Sequence, residues 1–227
     1  MKMMNREKYF LIGDIHGCYE EFLELIEGIE PDREIVSVGD LVDRGPASEK
    51  VLQYFVDNKL KFVMGNHEDK FLRYLNGNKV KVAHGLAQTI EQLDAHPRKD
   101  ELIASLKSMK IPHYLSFDHG NLIVVHGAYI VAPDGHVSRN KALYGATTGQ
   151  TDEHGYIVRL DWAEGYNGLQ TVVHGHVPVS EPRVKNNVYN IDTACVFGNK
   201  LTGLYYPEMT FKHVQAKKDY APHRDLG

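Results

Sequence analysis

Glu34-Ile35-Val36-Ser37-Val38-Gly39-Asp40-Leu41-Val42-Asp43-Arg44-Gly45 is the stretch whose reading decides the fold. Glu34 to Val38 has the length and β-branched character of a buried strand, and it runs into a glycine followed by charged residues. The same grammar recurs on both sides. Upstream, Lys8 to Ile12 reads as a strand that ends in Gly13-Asp14-Ile15-His16-Gly17. Downstream, Leu60 to Met64 reads as a strand that ends in Gly65-Asn66-His67-Glu68. Between them the apolar spacing turns helical, through Phe22, Leu25, Ile26 and Ile29 within Cys18 to Ile29, then Val51, Leu52, Phe55 and Val56 within Ala47 to Val56. Successive strand–loop–helix units predict an α/β sheet with helices on its faces. In such sheets sites collect at the carboxyl ends of the strands, where these polar motifs fall.

From about His67 to Met109 the spacing predicts helices, two of them separated at Pro97. From Tyr114 onward it predicts strands. Tyr114 to Phe117 and Leu122 to Val125 form a hairpin around Asp118-His119-Gly120-Asn121, followed by Val172-Val173, Val188 to Ile191, Leu201 to Tyr206 and Thr210 to Val214. Pro133 to Gly155 is rich in Gly, Ser, Thr and Asn and reads as a long surface loop of the kind that carries function. Two further polar motifs, Val125-His126-Gly127 and Gly175-His176-Val177-Pro178, also follow apolar strands.

With 227 residues and no internal repeat or linker, one domain spanning residues 1–227 is expected. A net charge of −4 gives no general attraction for nucleic acid or anionic membranes, but leaves room for a local basic pocket. Two cysteines, Cys18 and Cys195, make no disulfide framework and suit a reducing cytosol. The charged start, Met1 to Arg6, precedes an apolar run too short for a signal peptide or membrane span, so a cytoplasmic protein is expected, as a monomer or homodimer.

Phosphate esters resist hydrolysis because a nucleophile must approach an anion. Two divalent ions about 3.5–4 Å apart overcome this by binding phosphate oxygens and holding a bridging hydroxide. The motifs carry a suitable donor set: Asp14 and His16 for one ion, Asp40 as the bridge, and Asn66, His126 and His176 for the second. No cysteine stands at these points, which disfavours a thiolate zinc site. Manganese is the expected ion, with iron, magnesium or zinc as alternatives. His67, beside Asn66, can protonate a leaving oxygen if a carboxylate holds its ring, and Asp43 is the candidate for that carboxylate. Arg44 offers a planar cation suited to bidentate phosphate binding.

In this order the motifs resemble the metallophosphoesterases of the phosphoprotein-phosphatase (calcineurin-like) family, whose signatures read GDxHG, GDxVDRG and GNHE, with later histidines. The resemblance covers nearly the whole chain. It implies an α/β/β/α sandwich in which two mixed sheets are flanked by helices. It also implies two metals held by Asp14, His16, Asp40, Asn66, His126 and His176, with His67 as acid, Asp43 as its partner and Arg44 on phosphate. Val177 and Pro178 follow His176 where many relatives carry another metal-binding histidine, as in the phosphoprotein-phosphatase branch. Segments around Val82 to Leu86, Leu143 to Gly149, Asp161 to Glu164 and Ile191 to Gly198 are similar to two bacterial groups. These are the diadenosine-tetraphosphate hydrolases and the phosphatase module of polynucleotide kinase-phosphatase; phage-type Ser/Thr phosphatases lie in the same branch. There, a carboxylate matching Asp192 and an arginine near Arg159 join the active site. His174 departs from the pattern, but the Gly-His-x-Pro frame favours His176 as ligand.

The expected activity is therefore hydrolysis of a phosphorylated substrate. It is either nucleotide-type (diadenosine tetraphosphate or a nucleic-acid end phosphate) or a phosphoprotein, without stable nucleic-acid binding. An inactive metal-binding interaction module would show erosion at His67, Arg44 or a ligand position, and none is eroded. Cys18 and Cys195 are expected as small buried thiols. The remaining histidines, among them His84 and His223, are expected at the surface or at helix ends. Trp162 and Tyr166 suit either the core or a stacking surface for a base.

Overall fold

The computed structural model describes residues 7–155 and 157–221. Met1 to Arg6 and His223 lie outside them. The first half alternates strand and helix: β1 (Tyr9–Ile12), α1 (Tyr19–Ile26), β2 (Glu34–Ser37), α2 (Ser48–Asp57), β3 (Lys61–Phe62) and α3 (Asn66–Leu75). Two helices, α4 (Leu86–Asp94) and α5 (Lys99–Ser108), lead to a hairpin of β4 (Tyr114–Phe117) and β5 (Leu122–Val125). Then come α6 (Arg139–Tyr144), β6 (Thr147–Thr151), β7 (Ile157–Arg159), β8 (Thr171–His174), β9 (Arg183–Lys185), β10 (Val188–Asn190), β11 (Lys200–Tyr206) and β12 (Thr210–Gln215).

The strands form two mixed sheets, in the order β12-β11-β1-β2-β3 and β4-β5-β8-β10-β9, with β6-β7 as a separate pair. In the first sheet β1, β2 and β3 are parallel, and β11 joins β1 antiparallel, with Ile12 opposite Gly203. In the second, β5, β8 and β10 are parallel. Side chains alternate across β1. Phe10 and Ile12 pack with Phe22, Phe55 and Phe71 in a helix-covered core, whereas Tyr9 and Leu11 face Val124, Val173 and Leu204 between the sheets. A third core, with Ile123, Val125, Val172, Ala142 and Leu143, lies under α6 on the outer face of the second sheet. Burial on both faces explains why β1 and β5 are apolar throughout. Truncating Phe22 or Phe55, both fully buried, to alanine would cost about 3–5 kcal/mol.

Two details differ from the sequence reading. The segment Pro133 to Gly155 is not all loop: it contains α6 and β6. The helix is too short to show a periodic stripe, and its start is set by Ser138, whose hydroxyl accepts the Lys141 N–H. The strand at Leu60 to Met64 shortens to Lys61–Phe62, because the Met64 N–H turns away to the Pro112 carbonyl at 2.7 Å. Among the described residues, no helix is long and apolar enough to cross a membrane.

Candidate active site

The turns that leave β1, β2, β5 and β8 meet the start of α3 at one end of the sandwich, and they carry every polar motif quoted above. Backbone strain concentrates there. His16, Asp40, Asp43, Arg44 and His176 all take positive φ, between 46° and 73°, which side chains with a Cβ adopt at a cost. Two glycines permit close approach. A Cβ on Gly65 would lie 2.2 Å from Asp40 Oδ1, and one on Gly175 would lie 1.9 Å from Asp14 Oδ1.

Asp40 is at the centre. Its Oδ1 accepts the His67 N–H at the start of α3 (3.1 Å). Its Oδ2 lies 3.3 Å from His126 Nε2, 3.6 Å from His16 Nε2 and 3.9 Å from His67 Nε2. Burial would raise the Asp40 carboxyl, but His126 and His67 outweigh it and hold the group well below the usual range. Asp14 is pushed well above that range, by burial and then by the charges of Asp192 and Asp40. Burial also raises Asp192 to about 6, with Asp40 adding to the shift. Carboxyl groups crowded in this way call for a cation between them.

The imidazoles are oriented to give donors. His16 passes its Nδ1–H to the Val42 carbonyl (2.7 Å) and His126 passes its own to the Val38 carbonyl (3.0 Å). His16 Nε2 therefore keeps its lone pair toward the cleft, the tautomer a metal ligand needs, whereas His126 Nε2 faces Asp40, which outweighs burial and raises that imidazole above the ordinary histidine range. His126 Nε2 is 3.1 Å from both Asn66 Oδ1 and His176 Nδ1. Burial, with the cations around them, keeps His16 and His176 well below the ordinary histidine range and hence neutral. Two sets of donor atoms converge tightly enough to hold a metal ion, His16-Asp40-His67 and Asp40-His126-His176, sharing Asp40. Asp14 lies beside the second set and accepts the His176 N–H. Hard oxygen and neutral nitrogen donors around a shared carboxylate fit divalent ions such as manganese.

His67 belongs to the first set by position, but its Nδ1 is bound to Asp43 Oδ2 at 2.6 Å. The other Asp43 oxygen accepts the Thr89 hydroxyl at 2.6 Å, and the Asp43 N–H is shared by Ser48 and Thr89. Arg44 reaches His16 Nε2 (2.5 Å) beneath the Phe197 ring, so its guanidinium stands beside the donors. Arg159, exposed on β7, donates to the Tyr144 carbonyl (3.0 Å) and lies 2.8 Å from His176 Nε2. The neighbouring Asp161 pairs with Arg183, and Arg159 lines the cleft. Asp192 lines the same cleft, which measures about 570 Å³.

His174 is turned away. It is buried, bonds the Gly175 carbonyl through Nδ1 and packs 5.2 Å from the Trp162 ring. Burial lowers it to about 4. His84 is exposed but lines the cleft. Cys18 and Cys195 are both buried and their thiols meet, and that contact together with burial keeps Cys195 protonated, the behaviour of structural thiols.

Several contributors went unread in the sequence. Glu68 accepts the N–H groups of Asp40 (2.8 Å), Leu41 (2.7 Å), Val42 (3.3 Å) and Gly65 (3.1 Å), tying the turn after β2 to the start of α3. Its signal was present: a glutamate three residues after Gly65 is the capping-box position. Lys70, one turn after His67, also lines the cleft and donates to the Ala83 carbonyl.

The family model described as calcineurin-like phosphoesterase matches residues 8–201. The chain is 39% identical over 234 residues to the bis(5'-nucleosyl)-tetraphosphatase PrpE [asymmetrical] of Bacillus subtilis strain 168, covering 93% of this chain and 96% of the relative. The protein of the same name from Geobacillus thermodenitrificans is 40% identical, with 94% and 96% covered. Among solved structures, one provisionally assigned as a diadenosine tetraphosphatase superposes with a TM-score of 0.73 at 22% identity, covering 93% of this chain and 95% of that one. A serine/threonine phosphatase of Saccharomyces cerevisiae superposes at 0.63 with 15% identity, covering 99% and 83%. At such identities the structures share the fold.

Proposed function

This chain belongs to the calcineurin-like phosphoesterase family and is a hydrolase of phosphate esters; from that premise we propose that it cleaves dinucleoside tetraphosphates asymmetrically at a dinuclear metal site. The substrate class rests on the PrpE relatives, which match this chain over nearly its whole length. The chemistry rests on one observation, the 2.6 Å contact of His67 Nδ1 with Asp43 Oδ2 inside a cleft that also holds the shared-carboxylate donor sets and Arg44.

Asp14, His16, Asp40, Asn66, His126 and His176 would hold two divalent ions. When bound, such ions neutralise phosphate oxygens and make a nucleophile available from water at neutral pH. The chain's own groups do the rest. Arg44 binds the oxygens of the phosphoryl group under attack, where charge builds in the transition state. Asp43 fixes the His67 ring so that Nε2 faces the cleft. As the bridging P–O bond breaks, the Nε2 proton passes to the departing phosphate oxygen. Thr89 and Ser48 keep Asp43 in place. Arg159 and Lys70, which both line the cleft, supply charge along a polyphosphate chain.

The test is product analysis with manganese against diadenosine tetraphosphate, a phosphopeptide, a 3′-phosphorylated nucleotide and a 2′,3′-cyclic nucleotide. Diadenosine tetraphosphate should be turned over fastest, giving ATP and AMP in equal amounts. Two molecules of ADP, or preference for the phosphopeptide, would reject the reading.

A further inference from the structure

A second cavity, of about 610 Å³, opens beside the catalytic cleft and has no part in the chemistry above. Tyr129, Trp162 and Tyr166 line it, so its wall is aromatic. Trp162 and Tyr166 meet edge to face at 6.1 Å, and the Trp162 ring lies 5.2 Å from that of His174, at the end of the strand that delivers His176. The volume is that of a small-ligand site. The Tyr166 hydroxyl is held by Gln170, and Gln170 also lines the cavity, so polar groups stand next to the rings.

Its position relative to the cleft matters most. Thr147 is a wall of both spaces. The helix α6 also divides them: Asn140 and Tyr144 line the cleft, and the intervening Lys141 lines the cavity. A ligand with phosphates in the cleft that continues past Thr147 meets a lysine and then aromatic faces. We propose that this cavity binds the nucleoside of a dinucleoside polyphosphate while its phosphate chain occupies the catalytic cleft. The base stacks among Tyr129, Trp162 and Tyr166, and Lys141 meets the chain where it crosses from one space to the other. Stacking suits a nucleobase because every base offers a π-face, and aromatic residues reward that without demanding one sequence of hydrogen bonds. The inference rests on the dinucleoside tetraphosphate reading and names the part of the substrate that reading leaves unplaced.

Trp162 is the single tryptophan of the chain, so its fluorescence reports on the cavity alone. AMP titrated into the metal-free protein should quench that emission saturably, and ribose 5-phosphate should not. Equal quenching by both, or none by AMP, would overturn the proposal. Gly165 supplies a blocking variant: it lines the cavity, and a Cβ there meets nothing within 4 Å. Gly165→Leu should abolish the AMP quench. It should also lower the preference for diadenosine tetraphosphate over p-nitrophenyl phosphate, as a ratio of kcat/KM, by about tenfold to a hundredfold. Trp162→Ala should lower the same ratio without filling the space. An unchanged ratio in both variants would reject the base site. A wild-type protein that hydrolyses p-nitrophenyl phosphate but not diadenosine tetraphosphate would instead reject the substrate reading, and the AMP titration would still judge the cavity.

Discussion

The two walls of the catalytic cleft are built differently. One is made by the turns after β1 and β2 and by the start of α3; Asp14, His16, Asp40, Asp43 and His67 are all buried there. The other is made by α6 and the β6-β7 hairpin, where Tyr144, Thr147, Ile157 and Arg159 are exposed. The buried wall stores backbone strain and holds each side chain by several hydrogen bonds. The exposed wall is short, and its two strands form a separate pair outside both sheets. Fixed geometry serves bond making and breaking, whereas an open wall serves the choice of what enters. Substitutions on the buried wall should therefore slow turnover of every substrate, and those on the exposed wall should change only which substrate is preferred.

The largest effect should come from His67→Asn. With an alkyl phosphate, whose leaving oxygen needs a proton, kcat should fall by about 10²–10⁴-fold. The loss should shrink with p-nitrophenyl phosphate, and equal losses on both would assign His67 to the metal site instead. Asp43→Asn should reproduce part of that defect with the same dependence on leaving group, and a silent variant would break the pair. Arg44→Ala should lower turnover roughly a hundredfold, the loss of one donor of about 3 kcal/mol to the transition state, with metal content unchanged. His176→Ala should lose metal and then rate, whereas His174→Ala, whose ring packs on Trp162, should keep both; atomic absorption on the purified variants separates them. The smallest effect belongs to the exposed wall. Arg159→Ala should lower kcat/KM for diadenosine tetraphosphate more than for p-nitrophenyl phosphate, and a uniform loss would erase the distinction between the walls.

The buried wall was the part legible in the sequence. β1 is continuously apolar and β2 carries Ile35-Val36 into Val38, both runs stop at a glycine, and the polar residues that follow fall where an α/β sheet gathers its sites. The exposed wall was not legible, because α6 and β7 are too short for periodicity and β6 is polar on both sides. The supports of the dyad were hidden for another reason. Thr89 is 46 residues from Asp43, and its partnership exists only once α4 packs on α2. Glu68 was quoted as part of a motif, but its grip on the turn after β2 spans 26–28 residues and follows from the fold. Asp192 and Arg159 were legible only through resemblance, and both line the cleft.

In the proposed mechanism Asp40 is the carboxylate shared by two ions, and His67 is left free for the proton. Anomalous diffraction at the manganese edge, from crystals grown with that metal, tests this most directly. It should show two peaks about 3.5–4 Å apart, with Asp40 touching both and His67 still bonded to Asp43. A single peak, or a peak ligated by His67 Nε2, would contradict it.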